Sequence, residues 1–178
     1  MVGGLTALVA GDCGERRAVH EVELRQRLTA LLEGERDWVA MLATVACELH
    51  HAFDVFHWTG FYRWSAGDVL VVGPYQGGHG CLRIPLSRGI CGLAARTRQT
   101  QVVPDVRAVP DHIACSSTTR SEIVVPILSP GGRLLGVLDV DSDLPGAFDA
   151  ADARFLESVC ADLGARWAEA APGAGRPR

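Results

Sequence analysis

SEIVVPILSPGGRLLGVLDVDS, residues 121–142, is the stretch on which the fold turns. Two apolar runs, Ser121 to Ile127 and Leu134 to Asp141, flank Ser129, Pro130, Gly131 and Gly132. Proline and glycines between two β-rich runs signal a tight reversal, so the stretch predicts an antiparallel hairpin. Its near-continuous hydrophobicity predicts burial on both faces, and hence a central place in a sheet.

Upstream, His57 to Tyr62 and Val69 to Tyr75 are aromatic and β-branched runs around Ser65, Ala66 and Gly67, which predicts a second hairpin. Arg83 to Leu86 and the pair Val102 and Val103 read as short strands, and Gly89 to Arg96 as a short helix. From Glu35 to Phe53, Trp38, Val39, Leu42, Val45, Ala46 and Leu49 recur at helical spacing. Phe155, Leu156, Val159, Cys160 and Leu163 do the same in a last helix, behind Asp149 and Asp152 at the spacing of an N-terminal cap. Pro104 to Thr119 keeps no period and predicts a long loop. Helix, antiparallel strands, helix implies an α+β domain: a central antiparallel sheet with the N- and C-terminal helices on one face. The domain is expected over residues 21–170, after a poorly ordered extension at 1–20 and before a flexible tail at 171–178.

A chain of 178 residues with 48% hydrophobic content can bury one core without disulfide staples. A net charge of -4 excludes the positive field that nucleic acid or an anionic membrane requires. All seventeen basic residues are arginine, which a biased genome explains as readily as a function does. The apolar stretch from Val2 to Ala10 is too short to span a bilayer and lacks a charged leader, so a cytoplasmic location is expected.

In a reducing compartment six cysteines do not form a static framework. Cys47 and Cys160 lie on or beside apolar helical stripes, where a thiol acts as a small hydrophobe, and Cys13 falls in the extension. Cys81, Cys91 and Cys115 remain, in loop or helix-start settings compatible with exposure. Cys115 precedes Ser116, Ser117, Thr118, Thr119 and Arg120, whose hydroxyls and cation can stabilise a thiolate. Cys91 would feel the positive end of its helix. Cys81 follows Gly77, Gly78, His79 and Gly80, which let a thiol travel. Each is also readable as an ordinary loop or packed cysteine. Zinc, with His79 or His112, is disfavoured because the gaps of ten and twenty-four residues lack the close pairs of zinc sites.

Glu122, Asp139 and Asp141 interrupt apolar strands, and the last two share a face. Facing a core they would be raised in pKa and able to hold a proton; facing water they are a solvated sheet face. Trp58 and Tyr62 could wall an apolar pocket or simply pack. Nucleophile, second thiol and proton-holding carboxyl are the parts of a sulfur redox enzyme.

The runs HWTGFYRW (57–64), GPYQGGHGCLRIPLSRGICGLAARTRQTQVVPDV (73–106), HIACSSTTRSEIVVPI (112–127) and GRLLGVLDVDSDLPGAFDAAD (132–152), with LLEGERDWVAMLATVACELHHAF (31–53), resemble the free methionine-(R)-sulfoxide reductases, enzymes of the GAF fold. The resemblance spans about residues 28–165. It implies a single GAF-like domain, reduction of the sulfoxide of the free amino acid, no cofactor or metal, recycling by thioredoxin and a homodimer. It implies Cys115 as the catalytic cysteine, Cys81 as the usual resolving cysteine and Cys91 as a third that can join disulfide exchange. Glu122, Asp139 and Asp141 match the acids around the substrate's polar groups, and Trp58 the aromatic at its methyl end. Position 116 is Ser where the family often has Asp, and the glycines before Cys81 are unusual. A non-catalytic GAF sensor of a small ligand, or a redox sensor using Cys81 and Cys115, is the alternative.

Overall fold

Residues 121–142 fold as the hairpin their sequence predicts, β5 (Ser121–Leu128) against β6 (Leu134–Ser142). The Ser129 N–H donates to the Arg133 carbonyl at 2.9 Å, and the Gly132 N–H to the Ser129 carbonyl at 2.8 Å. Gly132 has φ +76°, a conformation that glycine adopts without steric cost. The computed structural model describes residues 14–65 and 67–169. The second predicted hairpin is β1 (Trp58–Ser65) with β2 (Val69–Gln76), and β3 (Arg83–Pro85) and β4 (Gln101–Val103) complete one antiparallel sheet in the order β3-β2-β1-β6-β5-β4. β1 and β6 are thus central, with β5 beside them.

Side chains alternate between the two faces of a strand. Phe61, Ile123, Val125, Ile127, Leu138 and Val140 pack with the apolar sides of α1 (Gly14–Leu31), α2 (Trp38–Ala52) and α4 (Ala150–Glu169). Trp58, Tyr62, Val124 and Val137 face the other way, onto α3 (Gly89–Thr97) and Val106 of the long loop. Both faces are covered, which is why β5 and β6 read as nearly unbroken apolar runs. The α+β class and the placement of the N- and C-terminal helices on one face hold.

Helix starts follow local chemistry. The Asp37 side chain accepts from the Ala40 N–H at 2.8 Å and caps α2. Asp149 and Asp152 cap α4 reciprocally: the Asp149 N–H donates to the Asp152 carboxylate at 2.8 Å, and the Asp152 N–H to Asp149 at 3.1 Å. On α2 the buried stripe uses Met41, whereas Val39 is 46% exposed, contrary to the periodic reading.

The expected extension at 1–20 is corrected at its inner end, because residues 14–20 are helical and belong to α1. This helix buries only a narrow stripe, Leu24 and Leu28, continued by Leu32 just past its end. His20 is buried, with Nε2 2.9 Å from the Ala52 carbonyl, and Arg17 pairs with Glu21, Asp149 and Asp152. Residues 1–13, Cys13 among them, and the tail at 171–178 lie outside the described residues.

Where α4 crosses β5, a Cβ on Gly164 would collide with the Leu128 carbonyl. Gly164→Ala is expected to lower stability by about 1–3 kcal/mol despite its better helix propensity. Urea unfolding followed by far-UV circular dichroism measures this.

Candidate active site

Strand pairing assembles the acidic groups. Trp58, Asp141 and Glu122 lie side by side across β1, β6 and β5, and Gly60, Asp139 and Val124 form the next row on the same face. Glycine is needed at 60, where a Cβ would overlap the Trp58 ring. Tyr62 follows two residues on, its ring stacked 5.8 Å from that of Trp58. The carboxyls therefore sit on a dry surface walled by two aromatics, beneath α3 and the loops at 77–82 and 104–120. Glu122 and Asp139 are each only 5% exposed. The solvated-face reading of these two residues is thereby replaced.

Both loops deliver a cysteine to this pocket's mouth. Cys81 and Cys115 are joined as a disulfide across 34 residues of chain, with Cα atoms 5.2 Å apart. The Trp58 indole N–H donates to the Gly78 carbonyl at 3.1 Å, fastening the glycine-rich loop ahead of Cys81. A Cβ on Gly80 would come within 2.8 Å of the Trp58 ring and 3.0 Å of the Tyr62 hydroxyl, so that loop lies directly on the aromatic wall. The pocket left below has about 30 Å³ of free space, room for one water.

Cys91 lines the same pocket but is only 3% exposed, and its thiol donates to Glu122 Oε1 at 3.9 Å. Of the two readings open for Cys91, an exposed helix-start thiol or a packed helix residue, the structure shows the packed one. Burial raises the Cys91 pKa well above its usual value, and Asp139 and Glu122 raise it further. These effects outweigh the first turn of a nine-residue helix.

Burial is also the largest cause holding all three carboxyl pKa values high. Glu122 is pushed up next by Asp141, Asp139 by Glu122, and Asp141 by Asp139 and Asp143. Hydrogen bonding to Asp139 and Cys91 offsets part of the rise at Glu122. Asp139 Oδ1 is buried without a hydrogen-bond partner among the described residues. His112 Nε2 lies 3.6 Å from Glu122, yet burial lowers the His112 pKa. Both shifts favour the neutral forms, which argues against a charged pair at this contact.

Cys115, Cys91, Glu122, Trp58, Tyr62, Asp139 and Asp141 thus line one pocket, and Cys81 stands beside it through its bond to Cys115. Sequence reasoning did not place His112, Ile113, Ile84 and Ile90 in its wall, though His112 stands three residues before Cys115. In the disulfide form Cys81 and Cys115 bond to each other and offer no thiolate. Metal-ligating atoms come close instead at Cys91, Glu122 and Asp139, all within 4.8 Å of one another.

The GAF domain family matches residues 37–167. The free methionine-R-sulfoxide reductase of Saccharomyces cerevisiae is 42% identical over 135 residues, covering 72% of this chain and 75% of that protein. The Escherichia coli protein of the same name is 38% identical over 141 residues, 79% of this chain and 84% of its own. The chain belongs to the free methionine-R-sulfoxide reductase family. The X-ray structure of that reductase from Neisseria meningitidis, in complex with its substrate, superposes with a TM-score of 0.82 at 43% identity. It covers 92% of this chain and 96% of that one. Membership agrees with the resemblance carried by the cysteine and acidic strings, and with the GAF fold it implies.

The raised carboxyl values have a thermodynamic consequence. A group that binds its proton more tightly when folded stabilises fully below its unfolded pKa, and that contribution is lost as pH rises through the folded value. Stability should therefore fall as pH rises out of the ordinary carboxylate range and through the raised values of the folded state. Glu122→Gln removes one such group and relieves its neighbours, so the fall should become shallower, as urea midpoints across this range will record.

Proposed function

We propose that the protein reduces the R epimer of free methionine sulfoxide to methionine, with Cys115 as nucleophile, Cys81 as resolving thiol and Glu122 as proton donor. The observation that carries this reading is the Cys81–Cys115 bond at the mouth of a pocket floored by buried carboxyls. In the reduced protein the Cys115 thiolate attacks the sulfoxide sulfur while protonated Glu122 hydrogen-bonds the oxygen. The oxygen passes to Cys115, leaving methionine and a sulfenic acid. The Cys81 thiol condenses with it, forming the disulfide and releasing water. A dithiol reductant then restores both thiols and is itself oxidised.

Selectivity for the free amino acid has a physical basis. The substrate ammonium is a charge that a methionine residue within a peptide lacks. Asp141, at the rim, and Asp139, with an unpaired oxygen, are the polar anchors, and an ammonium beside them lowers their raised pKa values toward ionisation. Trp58 and Tyr62 hold the methyl end.

Thioredoxin fits as the reductant because Cys81 and Cys115 are both partly exposed at the surface. A homodimer is the proposed working unit, supported by two exposed valines one turn apart on α1, Val19 and Val22, each 55% exposed. Among the described residues no helix is long and apolar enough to cross a membrane. A cytoplasmic setting would keep the cycle supplied with reductant. Cys91, neutral and buried, can join disulfide exchange only after the loops above it move, which favours Cys81 as the resolving residue.

Cys115→Ser is expected to lose at least about a thousandfold in rate even in the first turnover. Cys81→Ser should release one methionine per site and then stop with thioredoxin, whereas Cys91→Ser should continue to cycle. Methionine release from each separate epimer, with dithiothreitol and with thioredoxin, measures all three. Equal consumption of both epimers, or an active Cys115→Ser, would overturn the proposal.

A further inference from the structure

A second concavity, of about 380 Å³, opens at the opposite end of β1 and β6, lined by Arg63, Arg83, Arg133, Trp38, Trp64 and Trp167 among others. It stands some five residues along β1 from Trp58, about 17 Å at the usual strand rise. It shares no lining residue with the catalytic pocket. Arg63 and Arg83 belong to β1 and β3 and each pairs with Val71 of the strand between, which sets two guanidinium stems on one row of the sheet. Arg133 enters from the β5–β6 turn. Its guanidinium carbon lies 5.6 Å from the ring centroid of Trp64 and 5.6 Å from that of Trp167, so two indoles hold the cation in place.

The charge of this cluster is uncompensated. Among the described residues no carboxylate reaches salt-bridge distance of Arg63, Arg83 or Arg133, although other arginines of the chain pair readily with acids. Arg63 Nε is buried with no hydrogen-bond partner. A protein of net charge -4 thus concentrates three unpaired guanidiniums in one hollow. The size lies in the range of small-molecule sites, about 300–1,000 Å³. A carboxylate offers two oxygens, too few for three forks, whereas a phosphate or diphosphate has oxygens for all of them.

We propose that this cleft binds a phosphorylated small molecule, its phosphate oxygens held by Arg63, Arg83 and Arg133. The fixed position of Arg133 reduces the ordering cost of binding, and the overall negative charge restricts attraction of anions to this hollow.

Isothermal titration of the reduced, full-length protein with inorganic pyrophosphate and with ADP tests the assignment, with sodium sulfate at matched ionic strength as control. Saturable binding with a Kd below about 1 mM is expected. Arg83→Gln and Arg133→Gln, both at exposed positions, should each weaken it at least tenfold while leaving methionine sulfoxide reduction without added phosphate unchanged. No saturable heat from either probe, binding matched by sulfate, or affinity retained in both variants would overturn the proposal.

Discussion

The site depends on one constraint: three carboxyls brought side by side on a dry sheet face by the pairing of β1, β6 and β5. Each would be ionised in water. Together, under α3 and two loops, they cannot all carry charge, because burial and mutual repulsion both favour the proton. Backbone hydrogen bonding in the sheet holds this arrangement, and the large apolar layer on the opposite face, packed by α1, α2 and α4, supplies the free energy. The chemistry is thus built on the rigid layer of the fold.

The thiols belong to the deformable layer. Cys81 and Cys115 ride on segments with little regular structure, and only their bond, the Trp58–Gly78 contact and a few apolar side chains fasten those segments to the sheet. Glu122 and the aromatic wall stand on paired strands, whereas the two bonded sulfurs stand on loops. Cys91 shows the contrast, since a thiol on a packed helix acquires the high pKa of its surroundings.

Much of this was legible in the sequence because local rules and global packing agree there. Ser129 to Gly132 have turn chemistry, and the flanking runs are apolar because both sheet faces are covered. The spacing of Asp139 and Asp141 placed them on one face, but Glu122 joins them through strand register, which spacing does not encode. Helix α1 escaped because Leu24, Leu28 and Leu32 make too narrow a stripe among charges; its attachment through Arg17 and His20 is tertiary. The burial of Cys91 stayed open in the sequence because a helix-start signal is silent about what packs over it. Which cysteine meets Cys115 came from family likeness, since a separation of 34 positions leaves the pairing open. The arginine bias had seemed only compositional; strand order gathers Arg63 and Arg83 around one hollow, and the β5–β6 turn adds Arg133.

The tightness of the catalytic pocket carries a kinetic meaning. With the two sulfurs joined, the chamber has space for about a single water molecule and none for an amino acid. While that bond lasts the closed arrangement disfavours the seating of fresh sulfoxide, so electron acceptor and electron donor are expected to alternate in a double-displacement order.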